Sequence, residues 1–427
     1  AMDQRVYGPD LGDEQLNLEA LASARHPVLV TNQEVWTRHI RFEIAEANCM
    51  SAVAAFGKMA HYTGLPFFPI MTVYDFFIKR ALDQLFYDLY WGSEFVLIGT
   101  PSGVTLSSEG AQHSWKSDIQ IPNLITWEPL FAAEMDWILA DAIKRHMEDT
   151  NEGRRGVLIR AVTRAIPQKL LLENVRRHAL SKVEPHDAPL KPAGADADWG
   201  EALDESTLTP LPDEKLLARV REDCLKGAWY LVDWRGYAGY EPGDNVVNLF
   251  VMGSPAAEAL DASQRLLDRG VFANVLVVSS PDLLLGILAE RDGYAHLREG
   301  LGVTGDLHAV EGAGASEAGL VSIAGRRVPC VAVCDGEPGH LDNIGSILGV
   351  KQVTLGVRKF SKCGRPDQVY ALHHLDAGSI VEACGKVLAQ TALEDLRVSP
   401  ALLERLAGRA PERRDWRELW PEAGASS

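Results

Sequence analysis

Runs of aliphatic and β-branched residues recur at 27–31, 95–99, 156–162, 246–252, 274–279, 328–333 and 352–357. Between them lie stretches of helical length, at 47–63, 76–90, 131–147, 256–269 and 379–391, whose apolar positions return every three or four residues. A strand that is apolar at every position must be covered on both faces. Such strands separated by amphipathic helices predict parallel sheets wrapped by helices. Helix punctuation agrees, with Ser254-Pro255 opening the helix at 256–269 and Gly270 closing it.

The alternation breaks over 181–213, where prolines at 185, 189, 192, 210 and 212 sit among Asp, Ala and Gly. Proline fixes φ and removes an N–H, so this stretch predicts a linker between two α/β halves, 1–180 and 214–395. Beyond 396, a short amphipathic piece with Leu402, Leu403 and Leu406 leads to a charged segment bearing Trp416 and Trp420. That pattern is expected of a tail that docks on a surface. The expected class is α/β, with two doubly wound parallel-sheet domains.

Composition narrows the function. A hydrophobic fraction of 46% in 427 residues is enough for packed cores and excludes wholesale disorder. With 42 basic and 59 acidic side chains the net charge is −17, which disfavours nucleic acid as partner. No run approaches the ~18–20 apolar residues of a membrane helix. The opening Ala1-Met2-Asp3-Gln4 has neither the basic nor the apolar region of a secretory leader, so a cytoplasmic protein is expected. Six scattered cysteines, mostly inside apolar runs, are expected to be reduced and buried.

Familiar chemical motifs are missing. Gly312, Gly314 and Gly319 do not make a GxGxxG, and the chain has no GxxxxGK[ST], HExxH, paired CxxC or GxSxG. His373-His374 reads as a solvated or hydrogen-bonded pair, and no protein-only metal site is expected.

Three clusters in the first half carry more. The first, His39-Ile-Arg41-Phe42-Glu43-Ile44-Ala45-Glu46-Ala47-Asn48, runs into a helix of small residues at 51–57. The second is Phe67-Phe68-Pro69-Ile70-Met71-Thr72-Val73-Tyr74-Asp75-Phe76-Phe77. The third runs from Gly99 through Gly103, Glu109 and Gly110 to His113, and is followed by Ile121-Pro122-Asn123 and Trp127-Glu128-Pro129. In order and spacing these resemble the pyrimidine-binding domain of thiamine diphosphate enzymes of the transketolase and pyruvate dehydrogenase E1 family. The second half resembles the C-terminal domain those enzymes share, and the likeness spans most of 25–395.

The resemblance implies roles residue by residue. Glu46 matches the activating glutamate: a carboxyl kept protonated by apolar surroundings can hydrogen-bond the ring nitrogen of an aminopyrimidine. On residue type alone it is equally a helix-start carboxylate favoured by the dipole, with Glu43 as its near neighbour. Tyr74 and Phe77 match aromatics that flank the pyrimidine, although aromatics at that spacing also serve as core. His113 matches an acid or base beside the reacting carbon, where an imidazole titrating near pH ~6.5 suits proton transfer. Alone it would read as a structural histidine.

Two departures bear on the substrate. The stretch Ala161-Val162-Thr163-Arg164-Ala165-Ile166-Pro167-Gln168 has no histidine where the homodimeric pyruvate enzymes carry one. It resembles the transketolase loop that holds a sugar phosphate, making Arg164 a candidate anion clamp or, equally, a salt-bridge arginine. Pro101 stands where transketolases have another substrate histidine.

The GDG…N signature of the diphosphate domain is also lacking; its nearest match is Cys334-Asp335-Gly336, with Asn343 only eight residues beyond Asp335. The resemblance therefore implies a β-type subunit that uses thiamine diphosphate, with Mg2+ held mainly by an α-type partner in an α2β2 assembly. A lipoyl or carrier-protein domain is the implied acceptor for a two-carbon unit from a 2-oxo acid or ketose phosphate. Transfer to an aldose, or a non-catalytic homologue that regulates a partner, are the alternatives.

Overall fold

The computed structural model describes residues 40, 42, 44–105, 121–150, 152–162, 164–178, 211–235, 237, 240–303, 307–309, 321–323 and 328–395. The expected strand at 27–31, the linker at 181–210, the tail from 396 and His113 lie outside the described residues. Two compact units are present, the first drawn from Ala1–Thr100, Ile121–Ile125 and Ala142–Ile159. The second is drawn from Pro101–Gln120, Thr126–Asp141 and Arg160–Ser427.

The first sheet runs β1-β2-β4-β3, with β1 (Ile70–Val73) parallel to β2 (Phe95–Ser102) and Ile70 opposite Val96. Its other strands are β3 (Leu124–Trp127) and β4 (Gly156–Val162). Helix α1 (Glu46–Gly57) is followed by the short α2 (Met59–Thr63). A 3₁₀ turn (Asp75–Ala81) leads into α3 (Leu82–Tyr90), and α4 (Ala132–Glu148) precedes β4. Met50, Val53, Met71, Leu85, Leu89, Phe95 and Leu97 pack into one core in the first unit.

Two helices expected as continuous are divided. The break in 47–63 falls at Lys58, where Gly57 lies so close to Glu94 that a Cβ would sit 2.2 Å from its carbonyl oxygen. Helix 76–90 begins as the 3₁₀ turn. Strands β1 and β3 were not anticipated: each is only four residues long, and the turn-forming Pro122, Asn123 and Pro129 flank β3.

The second unit holds α5 (Lys169–Val175), α6 (Asp213–Cys224), β5 (Ala228–Val232), β6 (Val246–Met252), α7 (Ala256–Leu267) and β7 (Phe272–Val278). It continues through α8 (Pro281–Leu285), α9 (Ile287–Arg291), the paired β8 (Leu307–Ala309) and β9 (Val321–Ile323), and β10 (Cys330–Cys334). Helix α10 (Ile344–Leu348), β11 (Gln352–Leu355), α11 (Pro366–His373) and α12 (Ala377–Asp395) complete it.

The sheet order is β11-β10-β6-β7-β5, parallel except for β5, which pairs antiparallel with β7 at the edge. Alternation explains the double cover. Val247, Leu249 and Val251 of β6 enter one core with Val275 and Val277 of β7 and Val331 and Val333 of β10. Phe250 and Met252 enter the other, with Leu276, Val278, Cys330, Ala332 and Cys334. Each fully buried aliphatic side chain contributes about 1.5–3 kcal/mol, so this sheet is the stable scaffold of its unit.

Cys224, Cys330, Cys334 and Cys384 are buried free thiols as expected, but Cys363 is exposed. Among the described residues, no helix is long and apolar enough to cross a membrane.

Candidate functional site

Glu46 occupies the first turn of α1, where unpaired amides favour a carboxylate. Its side chain is 13% exposed, and Oε1 accepts a bond from Arg80 Nη1 at 3.2 Å. Arg80 lies in the last turn of the 3₁₀ segment, with its guanidinium 3.6 Å from the centre of the Phe77 ring. Phe77 meets Tyr74 edge-on, with centroids 5.6 Å apart, and Tyr74 is exposed.

The structure thus brings Glu46, Tyr74 and Phe77 together around Arg80. The purely apolar setting expected for Glu46 is corrected, because a guanidinium faces it. The Glu46 charge also reaches Cys49, three residues on, whose thiol is pushed up by burial and then by that carboxylate. Sequence reasoning missed Arg80, although its i,i+3 spacing from Phe77 was there to be read.

This arrangement fits an aminopyrimidine. A guanidinium and an aminopyrimidine are both flat and both stack on an aromatic face. Both can hydrogen-bond a carboxyl, the guanidinium by donating to its ionised form and the ring nitrogen by accepting from its protonated form. Arg80 stands in for such a group, stacked on Phe77 and bonded to Glu46.

Arg164 lies in the second unit, two residues past the end of β4. Nη1 and Nη2 donate to Glu258 Oε2 and Oε1, both at 2.8 Å, and Nη1 also donates to the Ser254 carbonyl at 3.3 Å. The Tyr370 ring lies 5.1 Å from the guanidinium carbon. His113, expected beside the reacting carbon, lies outside the described residues.

Several motif residues are structural. Asp335, centre of the triplet nearest to GDG, is 1% exposed. It accepts from Val104 N at 2.9 Å, Ser254 Oγ at 3.0 Å and the Tyr370 hydroxyl at 2.8 Å. Burial pushes its carboxyl up, against the opposing pull of these bonds. Gly103 of the third cluster has φ +84°, and a Cβ there would sit 2.2 Å from Asp335 Oδ2, so only glycine fits.

Glu128 is paired with buried Arg160 at 3.1 Å. Glu134 is fully buried and accepts from Leu130 N at 2.8 Å, Phe131 N at 2.7 Å and Trp229 Nε1 at 2.8 Å. His373 is buried with Nε2 2.9 Å from Ser361 Oγ. Among the described residues, no group of three or more His, Cys, Asp or Glu is arranged to hold a metal ion.

Residues 28–157 match the family model for the pyruvate dehydrogenase E1 component middle domain. No curated protein matches the chain. Among solved structures, it is similar to a split-gene transketolase described as an inactive β4 tetramer (17% identity, 81% of this chain, 82% of that one, TM-score 0.46). It is also similar to the transketolase from Leishmania mexicana (13% identity, 82% of this chain, 38% of that one, TM-score 0.50). The transketolase of Campylobacter jejuni subsp. jejuni matches with 13% identity, 80% of this chain, 38% of that one and a TM-score of 0.45.

The chain therefore spans little more than a third of these two longer transketolases. At such identities the likeness to solved structures speaks for the fold alone. Residues 28–157 are thus similar to the middle domain of the pyruvate dehydrogenase E1 component, and the α/β fold is similar to that of a transketolase.

Proposed function

We propose that this chain is the β-type, pyrimidine-binding subunit of a cytoplasmic thiamine diphosphate enzyme. It cleaves a 2-oxo acid or ketose phosphate and passes the two-carbon unit to a lipoyl or carrier-protein acceptor. The observation that carries this reading is the Glu46–Arg80–Phe77–Tyr74 cluster within the stretch that matches the E1 middle domain. Thiamine diphosphate, when bound, supplies an acidic ring carbon that becomes the nucleophile and an electron sink for the cleaved carbon pair.

In this reading Arg80 swings out and Glu46 presents its carboxyl to the pyrimidine ring nitrogen. Phe77 and Tyr74 hold that ring by stacking. His113 exchanges a proton at the substrate oxygen, and Arg164 bears on which substrate is taken. An α-type chain provides the diphosphate and Mg2+ site in an α2β2 assembly. Exposed apolar side chains concentrated in the first unit, among them Phe56, Tyr62, Leu65, Phe86, Tyr90 and Trp91, support a covering partner.

The test is reconstitution with an α-type chain, thiamine diphosphate and Mg2+, screening pyruvate against xylulose and fructose phosphates. Turnover with the wild-type chain, and its loss by roughly 10²–10⁴-fold in Glu46→Ala, is expected. Unchanged turnover in Glu46→Ala would defeat the reading.

A further inference from the structure

Arg164 presents a guanidinium just past the carboxyl end of a strand, the edge at which open α/β sheets take their ligands. An unoccupied guanidinium fork there would receive a carboxylate or phosphate with two parallel N–H···O bonds. In this chain the fork is filled from within, both bonds going to Glu258 at 2.8 Å. The two side chains are 22% and 16% exposed, so the pair is only partly screened by water.

The pair is also held in place. Glu258 lies in the first turn of α7, where the helix end favours its negative charge. That helix start is fixed by Ser254, whose hydroxyl meets both Asp335 and Tyr370. Tyr370 in turn lies beside the Arg164 guanidinium. A phosphate reaching for Arg164 would have to displace a carboxylate already in bonding geometry, and then sit as a dianion beside it.

We propose that Glu258 is an internal ligand that closes the Arg164 fork to phosphate, making it the specificity-determining residue that excludes phosphate-bearing donors. The donor is then an unphosphorylated 2-oxo compound, a narrowing that rests on the two-carbon-transfer reading above. Glu258 acts through Arg164, so its signature is a phosphate affinity that appears only when the fork is opened and Arg164 is present.

The test titrates inorganic phosphate into the full chain, followed by 31P NMR, in wild type, Glu258→Gln, Arg164→Gln and the double variant. Wild type and Arg164→Gln are expected to bind equally weakly. Glu258→Gln is expected to bind at least about tenfold more tightly, and the double variant to lose that gain. Glu173→Gln, which removes an exposed acid paired with Lys169, is expected to gain nothing.

Phosphate binding by the wild type that Arg164→Gln abolishes overturns the proposal. So does a folded Glu258→Gln with no gain, or an equal gain in Glu173→Gln. If Glu258→Gln does not fold, Glu258→Asp, which draws the carboxylate back by one methylene, takes its place: a gain that Arg164→Gln abolishes supports the closed fork, and no gain refutes it. Turnover plays no part in these titrations. Failure of two-carbon transfer in a reconstituted enzyme sinks the functional reading, whereas phosphate held by Arg164 sinks only the closed fork.

Discussion

Arg80 and Arg164 each face a glutamate and an aromatic ring, yet their surroundings differ. Arg80 is 51% exposed and makes a single 3.2 Å bond to Glu46. Arg164 is 22% exposed, makes two 2.8 Å bonds to Glu258 and a third to a carbonyl, and lies beside a fully buried tyrosine. An exposed single-bond pair is worth little and yields readily to a ligand. A partly buried bidentate pair tied to a hydrogen-bonded network resists exchange. Similar side chains therefore make an exchangeable pair in the first unit and a closed joint in the second.

Substitutions can break that contrast, beginning with the second unit. Trp229→Ala removes a fully buried indole and strips Glu134 of one donor. It should cost about 3–5 kcal/mol, read by urea denaturation. Asp335→Ala strands the Val104 amide and leaves the hydroxyls of Ser254 and Tyr370 with one partner fewer each. A loss of about 3 kcal/mol is expected, since each buried group left unpaired costs roughly 1–3.

Arg164→Gln should cost about 1–2 kcal/mol, whereas Arg80→Gln should cost below about 1 kcal/mol. Equal losses for these two would erase the distinction between closed joint and exchangeable pair.

The smallest effect expected is a pH drift in the first unit. Glu94 Oε2 lies 2.5 Å from His146 Nδ1 and Oε1 accepts from Arg155 Nη1 at 2.6 Å, and that carboxylate holds the His146 imidazole above its usual range, with burial opposing. A histidine whose folded pKa is raised lends its full stability below the unfolded value near ~6.5, and loses it as pH rises through the folded value. Denaturation midpoints should therefore fall on going from acid to alkaline across that window. His146→Gln should flatten the drift.

Parts of this were legible in the sequence for physical reasons. β6, β7 and β10 are apolar at nearly every position because both faces are covered, and that alone signals a parallel sheet. β5 (Ala228–Val232) is just as apolar but was not anticipated, and nothing in that run marks it as the antiparallel edge strand beside β7. Glu46, Tyr74 and Phe77 were selected by resemblance, and only folding places Arg80 among them.

The partners of Arg164 and Asp335 were out of reach. Glu258 is 94 residues from Arg164, and Val104 is 231 from Asp335, so no local periodicity connects them. The Cys334-Asp335-Gly336 triplet, the nearest match to the lacking GDG signature, has its carboxyl occupied by an amide and two hydroxyls.

The claim that Glu46 faces the cofactor is tested most directly without any knowledge of the substrate. Deuterium exchange at the acidic ring carbon of thiamine diphosphate would be followed in the complex with an α-type chain, for wild type and Glu46→Gln. Rapid exchange in the wild type, slowed roughly 10²–10⁴-fold by the substitution, is the expected result. Exchange equally fast in both would contradict the role given to Glu46.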